Sequence, residues 1–181
     1  MELDDARALV RERTEKESTV RHLISVEGVM RALARRLGGD EDLWALTGLF
    51  HDLDQDQTGE DLERHAHLAA GWLRQAGVDE RVVNGVLAHA HEQYRTDLVS
   101  RAVVHADAVA GLLVAAALVR PERSAGMKVS SVKKKLKEKA FAPGVNRDEI
   151  AQAPEVLGLD LDEFLEVSIE GLQEVAPDIG L

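Results

Sequence analysis

Histidine and aspartate carry the chemistry this sequence offers. His51 and Asp52 are adjacent in GLFHDLD; His22 lies in VRHLISVEGVMRALA, His65 and His67 in HAHLAAGWL, His89 and His91 in VLAHAHE. Asp107 opens an apolar run, in AVVHADAVAGLLVAAALV. Imidazole and carboxylate together suit a divalent transition metal such as Mn, Fe, Co, Ni or Zn. An ion with open positions can hold a phosphate and activate a water. Asp107 is the sharpest oddity, because an ionised carboxylate in apolar surroundings costs several kcal/mol unless paired or metal-bound. Taken singly, each histidine is better read as an ordinary core or surface residue. His22, His51, Asp52 and Asp107 taken together point to a metal site.

These residues fall on segments with helical period. Val20, Leu23, Ile24, Val29, Met30, Leu33 and Leu37 form an apolar stripe ended by Gly38-Gly39. Leu43, Leu46, Leu49 and Phe50 form the next, after an Asp40 cap. Asp61 to Gln75, ending at Gly77, and Asp79 to about Glu92 continue the pattern. Leu98 to Val119 reads as a long apolar helix stopped by Pro121. Ser130 or Ser131 caps a short Lys-rich helix ending near Pro143-Gly144. Arg147–Leu157 and Asp160 to about Val175 complete the chain, with Gly158 as a C-cap between them. No alternation of period two is sustained, so the expected fold class is all-α. Composition changes near Arg120–Lys128. We therefore expect a helical metal-binding domain over 1–120 and a Lys-rich helical extension over 121–181, packed on the core. On a helix a shift of two residues turns a side chain by about 200°. At most one of His65 and His67, and one of His89 and His91, should therefore face a common site.

Composition narrows the partners. The chain has 181 residues, 45% of them apolar, enough for a core without disulfides or a structural metal. There is no cysteine, which excludes thiolate ligands and fits a reducing cytoplasm. The acidic start MELDDARALV has no signal-peptide core, and the apolar run Ala108–Val119 is too short to span a bilayer. A cytoplasmic protein without a membrane partner is expected. Net charge is -11, which disfavours broad nucleic-acid binding. Charge is uneven, however, and Arg120–Arg147 is strongly basic. A local patch of that kind suits a small anionic ligand, or simply solvates a helix face. No Gly-x-Ser-x-Gly elbow, Walker A loop or His-Glu-x-x-His helix offers another hydrolytic route. Trp44 and Trp72 sit at core spacing.

The order His22, His51-Asp52, Asp107, spread over helices, resembles the HD superfamily of metal-dependent phosphohydrolases. GLFHDLD, DAVAGLLVAAALVRP and SSVKKKLKEKAFAPGVNR are similar to a bacterial and archaeal group within it, described only as predicted hydrolases. The resemblance implies an HD-domain helical bundle, one or two metal ions, and hydrolysis of a nucleotide or other small phosphate ester. It implies that Asp52 could bridge two ions, and that His65 and His89 best match the added ligands of dinuclear members, with His67 and His91 close rivals. The spare histidines, His67 or His91, could then serve with Asp52 in catalysis. Arg95, Arg120, Lys134 and Arg147 are candidate anion contacts, on the substrate or on a partner subunit in a homo-oligomer. Two other functions share these ligands: a di-iron oxygenase of the HD type, and a regulatory module that binds metal or nucleotide without turnover.

Overall fold

Helical periodicity, closed by caps at most ends, accounts for the architecture. In the computed structural model, which describes residues 1–59 and 61–181, α1 spans Leu3–Arg13, α2 Glu17–Leu37, α3 Glu41–Phe50, α4 Gln55–Thr58 and α5 His67–Gln75. Next come α6 (Glu80–Ala90), a 3-10 turn (Glu92–Tyr94), α7 (Leu98–Leu118), α8 (Val129–Lys137), α9 (Arg147–Leu157) and α10 (Leu161–Ile179). No strand occurs among the described residues, and the fold is all-α. The caps are those of ordinary helices. Asp40, Asp97, Asn146 and Asp160 accept backbone N–H groups at the starts of α3, α7, α9 and α10. Gly38, Gly158 and Gly180 end their helices in the left-handed region, at φ 73°, 68° and 73°.

Two segments depart from the sequence pattern. Asp61 to Ala66 forms turns rather than the first turns of α5, and Ala66 takes φ 64°. The buried Asp54 carboxylate accepts the N–H groups of Ala66 and Ala69 and fixes this entry. The Lys-rich helix starts at Val129, one turn position ahead of the serines, and stops at Lys137. Arg147 satisfies the carbonyls left open there: its guanidinium donates to Leu136, Glu138, Phe141, Ala142 and Val145.

The core forms around α2, which packs between α10 and α3 and also meets α7. Small residues set how close these helices come. A Cβ on Gly28 or Gly171 would lie 2.4 Å from the other's carbonyl oxygen, and one on Gly48 would lie 2.7 Å from that of Val26. Glu27, fully buried, draws α1 onto α2 by accepting from Arg7 at 2.8 and 2.9 Å and from Arg31 at 2.8 Å. Helix α7 is long and apolar enough to cross a membrane, but 67% of its apolar window is buried against the other helices. Asp56, its side chain 1% exposed, accepts from the N–H groups of Glu15 and Lys16 and the hydroxyl of Thr19, at 2.8, 2.9 and 2.9 Å. It thereby caps the start of α2 from α4.

Gly171→Ala should destabilise the protein by about 1–3 kcal/mol through overpacking. Gly71→Ala, where a Cβ meets nothing within 4 Å, should leave stability unchanged or raise it by up to about 1 kcal/mol. Urea titration of the two variants distinguishes these outcomes, and equal shifts would contradict the close α2–α10 contact. Asp56 gives a pH prediction. Burial opposes its ionisation, but the hydrogen bonds from Lys16, Thr19 and Glu15 hold its carboxyl below the usual range. Its stabilisation is therefore full above the unfolded pKa of about 3.9 and drains away as pH falls through the lower folded value. Asp56→Ala should cost about 1–3 kcal/mol near neutral pH, with the gap from wild type closing on acidification. A gap independent of pH would contradict the ionic cap.

Candidate metal centre

Five helices or their ends each deliver part of one cluster. His22 comes from the first turns of α2, His51 and Asp52 from the end of α3, and His65 from the turn before α5. His89 comes from the end of α6 and Asp107 from the middle of α7. His22 Nε2 lies 2.9 Å from Asp107 Oδ1, and His51 Nε2 lies 3.7 Å from the same oxygen. His65 Nε2 and His89 Nε2 lie 3.1 and 3.3 Å from Asp52 Oδ1. His89 Nδ1 closes the circuit at 3.8 Å from Asp107 Oδ2. Ligand atoms of His22, His51 and Asp107 lie within 4.8 Å of one another, as do those of His51, Asp52 and His89.

Hydrogen bonds behind the cluster fix which nitrogens face it. His51 Nδ1 lies 2.7 Å from the Gly48 carbonyl oxygen, which can only accept, so the proton sits on Nδ1 and the Nε2 lone pair faces inward. His65 Nδ1 lies 2.9 Å from Asp54 Oδ1 and donates to it, which turns Nε2 towards Asp52. Asp54 is fully buried. It is a positioning residue with no signal in the sequence beyond its place two residues after Asp52, which does not by itself assign the role.

The cluster is short of positive charge and of hydrogen-bond partners. His51 Nε2, Asp52 Oδ1 and His89 Nδ1 are buried with no hydrogen-bond partner, since the neighbouring imidazoles are close to Asp52 but poorly aligned with it. A buried polar atom left in this way costs about 1–3 kcal/mol. Burial opposes the ionisation of Asp52, but His65, His89 and the charge of His51 hold its carboxyl well below the usual range. Burial likewise opposes the ionisation of Asp107, and His22 and His51 overcome it. His65 is pushed up to about 9, against burial, by Asp52 and Asp54. Asp52 and Asp54 thus draw a proton onto His65, and bound divalent cations would supply the same charge while giving the orphaned atoms partners. The donor set fits such an ion. His51 has one inward nitrogen and can ligate one ion only, so a second would rest on Asp52, His65 and His89.

The other candidates lie elsewhere. His67 and His91 turn towards each other, rings 4.5 Å apart, with Tyr94 6.4 Å from both. His91 Nε2 donates to the His65 carbonyl at 3.0 Å. Arg95 donates to the Ala88 carbonyl, and Arg120 to those of Arg123 and Ala125. Lys134 lines a separate groove of about 530 Å³ with Arg120 and Lys135. Arg147 is committed to the carbonyls after α8. None of these four cations is brought to the histidine cluster.

Asp54→Ala should lower metal affinity about 10–100-fold, because it frees the His65 ring to rotate and to change tautomer. Metal content after dialysis is the measurement, with exposed Asp61→Ala as control. Equal retention in the two variants would contradict the positioning role.

Comparison with known proteins identifies the domain. The family model described as "HD domain" matches residues 19–112, just over half of the chain. Ribonuclease Y 2 of Levilactobacillus brevis is 30% identical over 95 residues, 52% of this chain and 18% of the relative. Ribonuclease Y of Sulfurovum sp. is 29% identical over 91 residues, 50% of this chain and 18% of the relative. The chain therefore spans less than a fifth of the length of these curated relatives. No solved structure matches it. The matched segment holds His22, His51, Asp52, His65, His89 and Asp107, and the chain belongs to the HD domain family.

Proposed function

We propose that this protein is a metal-dependent phosphohydrolase acting on a nucleotide or other small phosphate ester. The observation that carries the reading is the set of buried donor atoms, on His51, Asp52 and His89, that converge without hydrogen-bond partners. His22, His51, Asp52 and Asp107 would hold one ion, and Asp52, His65 and His89 a second. The bound ion would polarise a phosphoryl oxygen and lower the pKa of a water.

The chain's own residues do the rest. Asp54 and the Gly48 carbonyl hold the His65 and His51 rings in the tautomer that offers Nε2. Packing of α2 against α3 and α7 keeps His22 next to Asp107. Membership of the HD family supports hydrolysis, and the relatives' printed name, ribonuclease, concerns a phosphoester bond. The net charge of -11 favours a small substrate over long RNA.

Purified protein should contain a divalent transition metal and release phosphate or alcohol from at least one member of a phosphoester panel. His51→Ala and Asp52→Ala should each lose metal and lower turnover at least about a hundredfold with the helical circular dichroism intact. Full metal content and turnover in either variant would contradict the reading. Oxygen consumption by an iron-loaded protein with no phosphoester turnover would replace it with the oxygenase.

A further inference from the structure

From Ala102 onwards, helix α7 is buried on all sides but one. Asp107, Gly111, Val114, Ala115 and Leu118 form its one partly open strip, at helical spacing, and Leu118 is 53% exposed. Gly111, Val114 and Leu118 of this strip floor a groove of about 430 Å³ whose other wall is Glu17, Ser18, Arg21 and His22 of α2. His22 is the residue 2.9 Å from Asp107, so the groove opens directly from the candidate metal centre. Its volume is within the ordinary range for small-molecule sites. From Gly111 to Leu118 it runs about 10 Å along the helix axis.

Gly111 is the informative residue. A glycine in a helix interior costs about 1 kcal/mol against alanine. At Gly28, Gly48, Gly85 and Gly171 close packing explains the glycine, since a Cβ would come within 2.4–2.7 Å of a neighbour. At Gly111 it would meet only Val145 Cγ2, at an ordinary 3.5 Å. An unconstrained helical glycine means little alone, and Gly71 is another. Gly111 differs in lying on the floor of a groove, one helical turn from Asp107. Any larger side chain there would project into the space beside the metal ligands.

We infer that this groove receives the organic part of the phosphoester, with Gly111 as the residue that sets its size, and that this part has a planar, apolar face of nucleobase or aryl type. Val114 and Leu118 give an apolar floor without charge. Glu17, Ser18 and Arg21 give polar groups along one edge; the Arg21 guanidinium, 3.4 Å from Glu17, keeps a planar face of the kind that stacks on rings. A bare sugar phosphate or inorganic phosphate would leave the floor uncovered. The inference rests on the phosphohydrolase reading for its phosphate end only.

The test is calorimetric binding to the metal-loaded full chain of inorganic phosphate, glycerol phosphate, phenyl phosphate, the common nucleoside monophosphates and the free nucleosides. Wild type should bind at least one ester with a planar group about tenfold or more tighter than inorganic phosphate and glycerol phosphate. Gly111→Leu should abolish that preference and leave phosphate affinity within about twofold, while Gly111→Ala keeps most of the preference. Both variants should melt at or above the wild-type temperature, because helix propensity rises. No preference in wild type, or a preference that survives Gly111→Leu, would overturn the inference. So would a wild-type dimer that Leu118→Glu converts to monomer, since a second copy would then cover the strip. If phosphate shows no metal-dependent binding but a nucleoside binds in a Gly111-dependent way, the phosphohydrolase reading falls and the groove stands.

Discussion

The structure depends on a charge problem at its centre. Asp52 and Asp107 are placed among imidazoles where burial alone would keep them neutral. They stay ionised because His22, His51, His65 and His89 surround them, and His65 is drawn up to about 9 in consequence. Each carboxylate needs positive charge, and each inward nitrogen needs a partner. Neither need is fully met by the side chains, as the unpartnered atoms of His51, Asp52 and His89 show. Bound divalent cations would answer both needs, and this is the physical content of the metal-site reading.

The helices serve that centre by approaching closely. Gly28 against Gly171, and Gly48 against Val26, bring α10, α2 and α3 nearer than larger residues allow. Gly48 has two uses. Its missing Cβ lets α3 reach α2, and its carbonyl oxygen accepts the hydrogen bond from His51 Nδ1–H. Positioning of His51 and packing of the core are therefore one feature of the chain. The basic segment belongs to a different part of the fold. Arg147 organises the residues after α8 by binding carbonyls, and Lys133 pairs with Asp162 of α10 at 2.6 Å.

Much of this was legible in the sequence, for reasons that differ by residue. The helices were legible because their apolar period and caps agree, and Asp107 stood out because a carboxylate opens an apolar run. The pairs His65/His67 and His89/His91 show the limit. The helical argument allowed one of each to face the site, and the structure brings His65 and His89 to Asp52. The reason, however, is not helical rotation alone. His65 lies before α5, where Ala66 takes a left-handed conformation, and His91 lies past the end of α6. Asp54 was not legible, because its role depends on donors 11 to 15 residues away that only the folded turn brings to it. Arg147, at the start of α9 shortly after Pro143-Gly144, looks the same in sequence whether it serves a phosphate or its own backbone.

The most direct test of the central claim is anomalous diffraction from crystals of the full chain grown with Zn²⁺, measured on either side of the zinc edge. The account predicts a peak about 2.0–2.2 Å from donor atoms of His22, His51, Asp52 or Asp107, with any second peak at Asp52, His65 and His89. A map with zinc bound only at surface histidines such as His67, and none within the cluster, would contradict it.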